Sequence, residues 1–233
     1  LMELFYNKNI DSNTNEFKLE GSENNHIYKV LRKKKDETIE FTNGNYLKFK
    51  VKIITASKTF SLFKVLSCEK VVLENKLHIA ISLLKSNTRF EMFLEKAVEI
   101  GISEITPLIC ERTENKKINL ERLNKIMISG IKQSLKYKLP RLNEPVSYPT
   151  FMKLVTNENK LIATCEKFKK KHISNSFDKS KFNILLIGPE GDFTQNELNL
   201  AMENDFQFVS LGDTRFRAET AAIMSCAIFS AIK

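Results

Sequence analysis

From about residue 74 onward, short apolar runs alternate with segments whose apolar residues recur every three or four positions. Residues 76–84 read as a strand, and 88–100 as a helix with Phe90, Phe93, Leu94, Ala97 and Val98 at helical spacing and Gly101 as its stop. Residues 105–109 form the next strand, and Leu120, Leu123, Ile126, Met127 and Ile131 mark another helix. Further strands follow at 161–164 and 183–187. A helix over 194–204 opens on a Thr194-x-x-Glu197 capping box. A strand at 206–211 and a helix at 219–232 complete the series. This alternation leaves few solutions: it predicts an α/β domain with a mainly parallel sheet covered by helices on both faces.

Residues 1–73 read differently, as mostly β. Strand signals run over 38–42, 46–54 and 61–66. In the second, Leu47, Phe49, Val51 and Ile53 alternate with Lys48, Lys50 and Lys52, the period of a half-buried strand. Asn43-Gly44 supplies a hairpin turn between the first two. A short helix carries Ile27, Val30 and Leu31 on one face and runs into Arg32-Lys33-Lys34-Lys35. A small β-barrel is the expected way to close such strands. The predicted domains are therefore 1–73 and 74–233.

The net charge is +9, compatible with a polyanionic partner, although Lys predominates and a solvated lysine surface explains part of it. Lys167, Lys169, Lys170 and Lys171 read as a solvated loop between strands. No run of about 18 apolar residues marks a membrane helix. Leu1 to Tyr6 lack a signal peptide's layout, so a cytoplasmic location is expected. Cys68, Cys110, Cys165 and Cys226 form no CxxC pair, and His26, His78 and His172 do not pair at ligand spacing. No metal site or disulfide framework is expected. A dinucleotide GxGxxG, a Walker A sequence and a GxSxG elbow are all missing.

Gly188, Gly191 and Gly212 each follow a predicted strand. Ligands of open α/β sheets bind at such strand ends, where glycine lets backbone approach closely. Gly188-Pro189-Glu190-Gly191 is either a ligand-holding loop or a tight turn into the next helix. Leu211-Gly212, followed by Arg217, Glu219 and Thr220 at a helix start, makes one pocket shared with the first loop plausible. The Arg217-x-Glu219 pair also reads as a local salt bridge and cap.

Four motifs in order carry a specific resemblance. They are His26-Ile27-Tyr28-Lys29-Val30-Leu31-Arg32; Lys96-Ala97-Val98-Glu99-Ile100-Gly101 with Ile105-Thr106-Pro107-Leu108; Leu186-Ile187-Gly188-Pro189-Glu190-Gly191; and Leu211-Gly212 through Arg217-Ala218-Glu219-Thr220-Ala221-Ala222. Over nearly its whole length the chain resembles the bacterial 16S ribosomal RNA uridine-N3 methyltransferase family of the SPOUT superfamily. The resemblance implies a PUA-like β-barrel that helps bind RNA, ahead of a SPOUT domain with a C-terminal trefoil knot. It implies S-adenosyl-L-methionine held by Cys165, Leu186, Ile187, Gly188, Pro189, Glu190, Gly191, Leu211, Gly212, Phe216, Arg217 and Thr220. It also implies a homodimer acting on 16S rRNA in the small ribosomal subunit. The last helix, apolar on nearly every side, suits burial within the monomer or cover by a partner subunit.

On that reading Arg217 and Glu219 are the catalytic candidates. Arg217 stabilises negative charge developing on the base oxygens, and Glu219 takes the N3 proton or holds Arg217 in place. Arg32, Lys33, Lys34, Arg112, Lys136 and Lys138 are candidates for RNA phosphates. The chain departs from the family at Lys132-Gln133-Ser134-Leu135-Lys136-Tyr137-Lys138, where the family has Glu-Gln-x-x-Arg. It departs again at Gly191-Asp192, and at Gly212-Asp213-Thr214-Arg215, where Arg215 stands as a shifted arginine. The competing functions are a SPOUT methyltransferase for another site, such as a ribose 2′-hydroxyl, and a non-catalytic RNA-binding or ribosome-assembly factor.

Overall fold

A computed structural model describes residues 3–72, 75–156 and 158–232. The chain forms two compact units, one of Leu1–Leu73 with Ile128–Leu139, the other of Glu74–Met127 with Pro140–Lys233. The boundary expected between 73 and 74 falls on Leu73 and Glu74, which lie outside the described residues. Residues Ile128–Leu139, expected in the second domain, cluster with the first unit.

In the first unit β1 (Leu4–Tyr6), β2 (Glu16–Glu20), β3 (Thr38–Thr42), β4 (Leu47–Ala56) and β5 (Phe60–Lys70) form one sheet in the order β1-β3-β4-β5-β2. Phe49, Val51 and Ile53 of β4 are fully buried, as their alternation predicts. Phe17 on β2 meets Phe41 on β3 edge-on with ring centroids 5.1 Å apart. Those strands are three ladders apart, about 14 Å in a flat sheet at a spacing near 4.8 Å. The sheet therefore curls on itself, helped by irregularities at Lys50/Val51 and Ile53/Thr55 of β4. Phe5, Phe41, Phe49 and Phe63 fill the interior of this barrel-like sheet.

Two local expectations are corrected here. The short helix α1 (Gly21–Asn25) widens into a π-type turn, His26–Val30. That extra width rotates the apolar face, so Ile27 is buried while Val30 is 65% exposed. The Asn43-Gly44 segment does join β3 and β4 as an antiparallel hairpin, but through a longer loop than a tight turn, because β3 ends at Thr42 and β4 begins at Leu47. Gly44 instead permits a close approach. Leu139 N donates to Gly44 O at 2.8 Å, and Tyr46 N donates to Tyr137 O at 2.8 Å. A Cβ on Gly44 would sit 2.9 Å from Leu139 Cβ, and its φ of +75° suits glycine. Lys132 Nζ pairs with Glu23 at 2.8 Å, so these contacts bind the 128–139 segment to the barrel.

The second unit contains β6 (Leu77–Ser82), α2 (Asn87–Ile100), β7 (Glu104–Ile109), α3 (Leu120–Gln133, which ends in the first unit), β8 (Arg141–Leu142), β9 (Val146–Ser147) and α4 (Tyr148–Leu154). β10 (Asn159–Ala163), β11 (Lys171–His172), β12 (Asn183–Ile187), α5 (Gln195–Glu203), β13 (Gln207–Ser210) and α6 (Ala218–Ala231) follow. The strands run parallel in the order β11-β13-β10-β12-β6-β7-β8, with β9 beside β7. β6 and β12 are buried along their whole length, because helices cover both faces. Ala80, Ile162, Ile184 and Leu186 pack on one face with Tyr148, Phe151 and Met152 of α4 and Leu198 and Ala201 of α5. On the other face α6 contacts β6, β12 and α2.

α4 escaped sequence reading because its apolar residues span barely two turns; Ser147 caps it, accepting from Thr150 N. α6 buries Ala222, Ser225, Cys226 and Phe229, while Ala227 and Ala231 are exposed. Among the described residues no helix is long and apolar enough to cross a membrane.

Candidate functional site

The parallel register aligns Ala163 of β10 with Ile187 of β12 and Val209 of β13. Three loops thus leave the sheet side by side, at 164–170, 188–194 and 211–217. They enclose a cavity of about 500 Å³. Cys165, Ile187, Gly188, Pro189, Glu190, Leu211, Gly212, Phe216 and Arg217 line it, so the two glycine loops singled out in the sequence share one pocket. Leu186, Gly191 and Thr220 do not line it. Leu186 points to the opposite face of the strand and is fully buried in the core against α4 and α5.

The loop at 188–194 is held from three sides. Glu190 Oε1 accepts from Lys85 N at 3.0 Å. Arg112 Nη1 donates to Gly191 O at 2.6 Å and to Phe193 O at 3.4 Å. Asp192 Oδ2 accepts from Thr164 Oγ1 at 2.9 Å and Cys165 N at 2.7 Å. At Gly188 a Cβ would press on the Phe193 ring at 3.1 Å, and at Gly191 on Arg112 Cδ at 3.2 Å. Where the loop enters α5, the Thr194–Glu197 capping box forms as the sequence predicts. Its Glu197 Oε1 also accepts from Glu111 N at 2.9 Å, tying in the loop after β7.

The third loop turns at Gly212, whose φ of +126° lies outside the ordinary range of other residues. Ser210 Oγ accepts from Gly212 N at 3.1 Å. Arg215 and Arg217 are exposed at the cavity, and among the described residues neither has an ion-pair partner. Glu219 lies in the first turn of α6 and is 3% exposed. Its Oε1 faces Arg89 Nε of α2 at 3.8 Å, and it does not line the cavity.

The RNA candidates separate by environment. Arg32 and Lys34 are exposed. Lys33 is engaged by Glu3 at 3.0 Å and Glu37 at 3.7 Å, and hydrogen bonding to Glu3 raises its pKa. Lys136 is half-buried, and Lys138 lies 4.7 Å from the Tyr46 ring centroid. Those five belong to the first unit; Arg112 belongs to the second and is committed to the Gly191 loop.

Several cavity residues were not among those expected to hold a ligand: Thr164, Lys170, Ser210, and Asp192 and Asp213, which stood only as departures from the family pattern. Lys170 was expected in a solvated loop, but its Nζ turns inward to Thr164 O and Glu166 O, both at 2.7 Å. The signal was available in outline, since these residues follow strand ends; the loop after β10 carries no glycine to mark it. Among the described residues no cluster of three or more His, Cys, Asp or Glu could hold a metal ion.

Comparison with known proteins converges on one group. Residues 72–230 match an RNA methyltransferase domain family, and residues 19–66 match an RNA methyltransferase PUA domain family. The chain is 29% identical to the ribosomal RNA small subunit methyltransferase E of Mesomycoplasma hyopneumoniae over 204 residues, covering 85% of this chain and 87% of the relative. It is 29% identical to the Rickettsia conorii protein of the same name, covering 90% and 88%. The crystal structure of the Neisseria gonorrhoeae ribosomal RNA small subunit methyltransferase E bound to S-adenosyl methionine superposes with a TM-score of 0.88 at 26% identity, covering 97% of this chain and 96% of that one.

Proposed function

The chain belongs to the RNA methyltransferase family, and from that premise we propose that it uses S-adenosyl-L-methionine to methylate N3 of a specific uridine in the 16S rRNA of the small ribosomal subunit. The observation that carries this reading is the cavity at the ends of β10, β12 and β13, with Arg217 at its wall. Its volume falls in the range of about 300–1,000 Å³ typical of small-ligand sites. The donor set fits the cofactor. Ile187, Leu211, Phe216, Ala218 and Ala221 supply apolar wall for an adenine, while the 188–190 and 211–213 backbone and the Glu190 and Asp213 carboxylates supply polar groups.

When bound, S-adenosylmethionine supplies an electrophilic methyl group. The protein's part is orientation and electrostatics. Arg217, which has no ion-pair partner among the described residues, is available to stabilise negative charge on the uracil oxygens as N3 loses its proton to solvent. Arg215, one residue past the family's usual arginine position, adds a second guanidinium at the same wall. Glu219 is better read as an anchor of α6, because it is buried and its cation is Arg89. Arg32 and Lys34 are the candidates most open to RNA phosphate. The outward side of α6, with Ala227 and Ala231 exposed, supports a homodimer. The order β13-β10-β12 is consistent with a knotted C-terminal crossover. The expected setting is the cytoplasm, where small subunits assemble.

The test is to incubate the protein and labelled cofactor with small subunits that lack the modification, then map the label by mass spectrometry. Label on a uracil N3 supports the reading. Label on a ribose would assign the chain to 2′-hydroxyl chemistry, and no transfer with intact RNA binding would favour a non-catalytic factor.

A further inference from the structure

We infer that Asp192 is a positioning residue that sets the distance between two walls of the cofactor cavity, an inference that rests on the S-adenosylmethionine reading above. The strand ladder fixes only the roots of these walls, through the Ala163–Ile187 register. Beyond it, among the described residues, the hydrogen bonds that tie residues 164–165 to the loop at 188–193 both end on one oxygen, Asp192 Oδ2. The other oxygen, Oδ1, accepts from Phe193 N at 2.8 Å and so orients the carboxylate. Lys170 Nζ closes the same turn from behind through Thr164 O.

The backbone shows that this side chain is kept against a local cost. Asp192 has φ +60°, closing a turn in which its N–H donates to Pro189 O at 2.9 Å. Glycine adopts that conformation without strain, whereas an aspartate tolerates it only with compensation. The compensation is a carboxylate accepting three hydrogen bonds, the stronger for its charge. Asp192 itself lines the cavity, as do Thr164 and Cys165. Its loss would loosen the wall without removing a ligand-binding strand.

Asp192→Gly separates this role from general support, because it relieves the backbone strain while deleting the carboxylate. Asp192→Asn keeps one oxygen for Cys165 N and serves as the conservative variant. In ligand-free Asp192→Gly, amide hydrogen exchange at Cys165 should accelerate while α5 keeps its protection. Calorimetry should show the Kd for S-adenosylmethionine raised about tenfold or more, with the Asn variant between. KM for the cofactor should rise in step, with kcat at saturating cofactor held within about twofold. Unchanged exchange at Cys165, or a cofactor Kd within about twofold of wild type, would overturn the inference. So would a fall in kcat at unchanged KM. If the wild-type protein shows no saturable binding of S-adenosylmethionine, the cofactor reading itself fails and this inference falls with it.

Discussion

The carboxylate of Glu219 is paired with Arg89, across the α2–α6 contact, at 3.8 Å. Glu219 Oε2 is buried with no hydrogen-bond partner among the described residues, so the Arg89 guanidinium is the charge that offsets its desolvation. Arg89→Ala should therefore cost about 1–2 kcal/mol, less than a fully buried pair because Arg89 is 39% exposed. Denaturant unfolding checks this. Glu219→Gln should recover part of the loss in the double variant, since it removes the stranded charge. A Glu219→Gln protein of wild-type stability that has lost methyl transfer would return Glu219 to a direct role in the chemistry.

Arg217 carries the opposite expectation. It is exposed and, among the described residues, has no ion-pair partner, so Arg217→Ala should leave the fold intact and the cofactor Kd nearly unchanged, yet lower kcat by about 100-fold. Single-turnover transfer from labelled cofactor, alongside calorimetry, separates the two effects. Wild-type transfer rates in the variant would remove Arg217 from the mechanism.

Arg112 and the arginine and lysine of the first unit should separate in salt titrations. Arg32→Ala and Lys34→Ala should each reduce the slope of log affinity for RNA against log salt by about 1 if they touch phosphates. Arg112→Ala should leave that slope unchanged and instead weaken cofactor binding, because its guanidinium is spent on Gly191 O and Phe193 O. A lower slope in the Arg112 variant would restore it to the RNA surface.

The cysteines differ in accessibility. Cys165 is exposed at the cavity, whereas Cys110 and Cys226 are buried. Burial pushes the Cys226 thiol up to about 12 and raises that of Cys110 as well, which suppresses the reactive thiolate. Alkylation of the native protein at mildly alkaline pH should mark Cys165 first, and S-adenosylmethionine should protect it. Peptide mass spectrometry reads both outcomes; labelling of Cys165 that is indifferent to the cofactor would contradict its place at the site.

Acid should act through Glu91. Arg122 Nη2 donates to Glu91 Oε2 at 2.9 Å, and that guanidinium holds the Glu91 carboxyl below its ordinary range. A carboxyl with a depressed folded pKa contributes stability above the unfolded value, near about 4.3, and loses it as pH falls through the folded value. Glu91→Gln should accordingly be less stable than wild type above about pH 5, and the gap should close in stronger acid. Unfolding curves across that range give the answer, and a gap that widens toward acid would reverse the assignment.

The alternation of periods from residue 74 onward determined, by itself, the parallel sheet and most of its helices, because burial on two faces demands continuous apolar strands and one-sided helices. Gly188 and Gly212 marked the cavity for a related reason: backbone constraints at strand ends are written in residue type. What the sequence did not decide are the long-range partners. Arg112 looks like any exposed arginine until the loop after β7 brings it to Gly191. Lys132 looks like a lost family position until the end of α3 meets Glu23 of the barrel. Glu219 and Arg217 are two residues apart, yet helix geometry sends the first to α2 and leaves the second at the cavity. Local pattern fixes elements and their faces; which charged side chains meet depends on contacts 79 or 109 residues distant, and only the packed chain sets those.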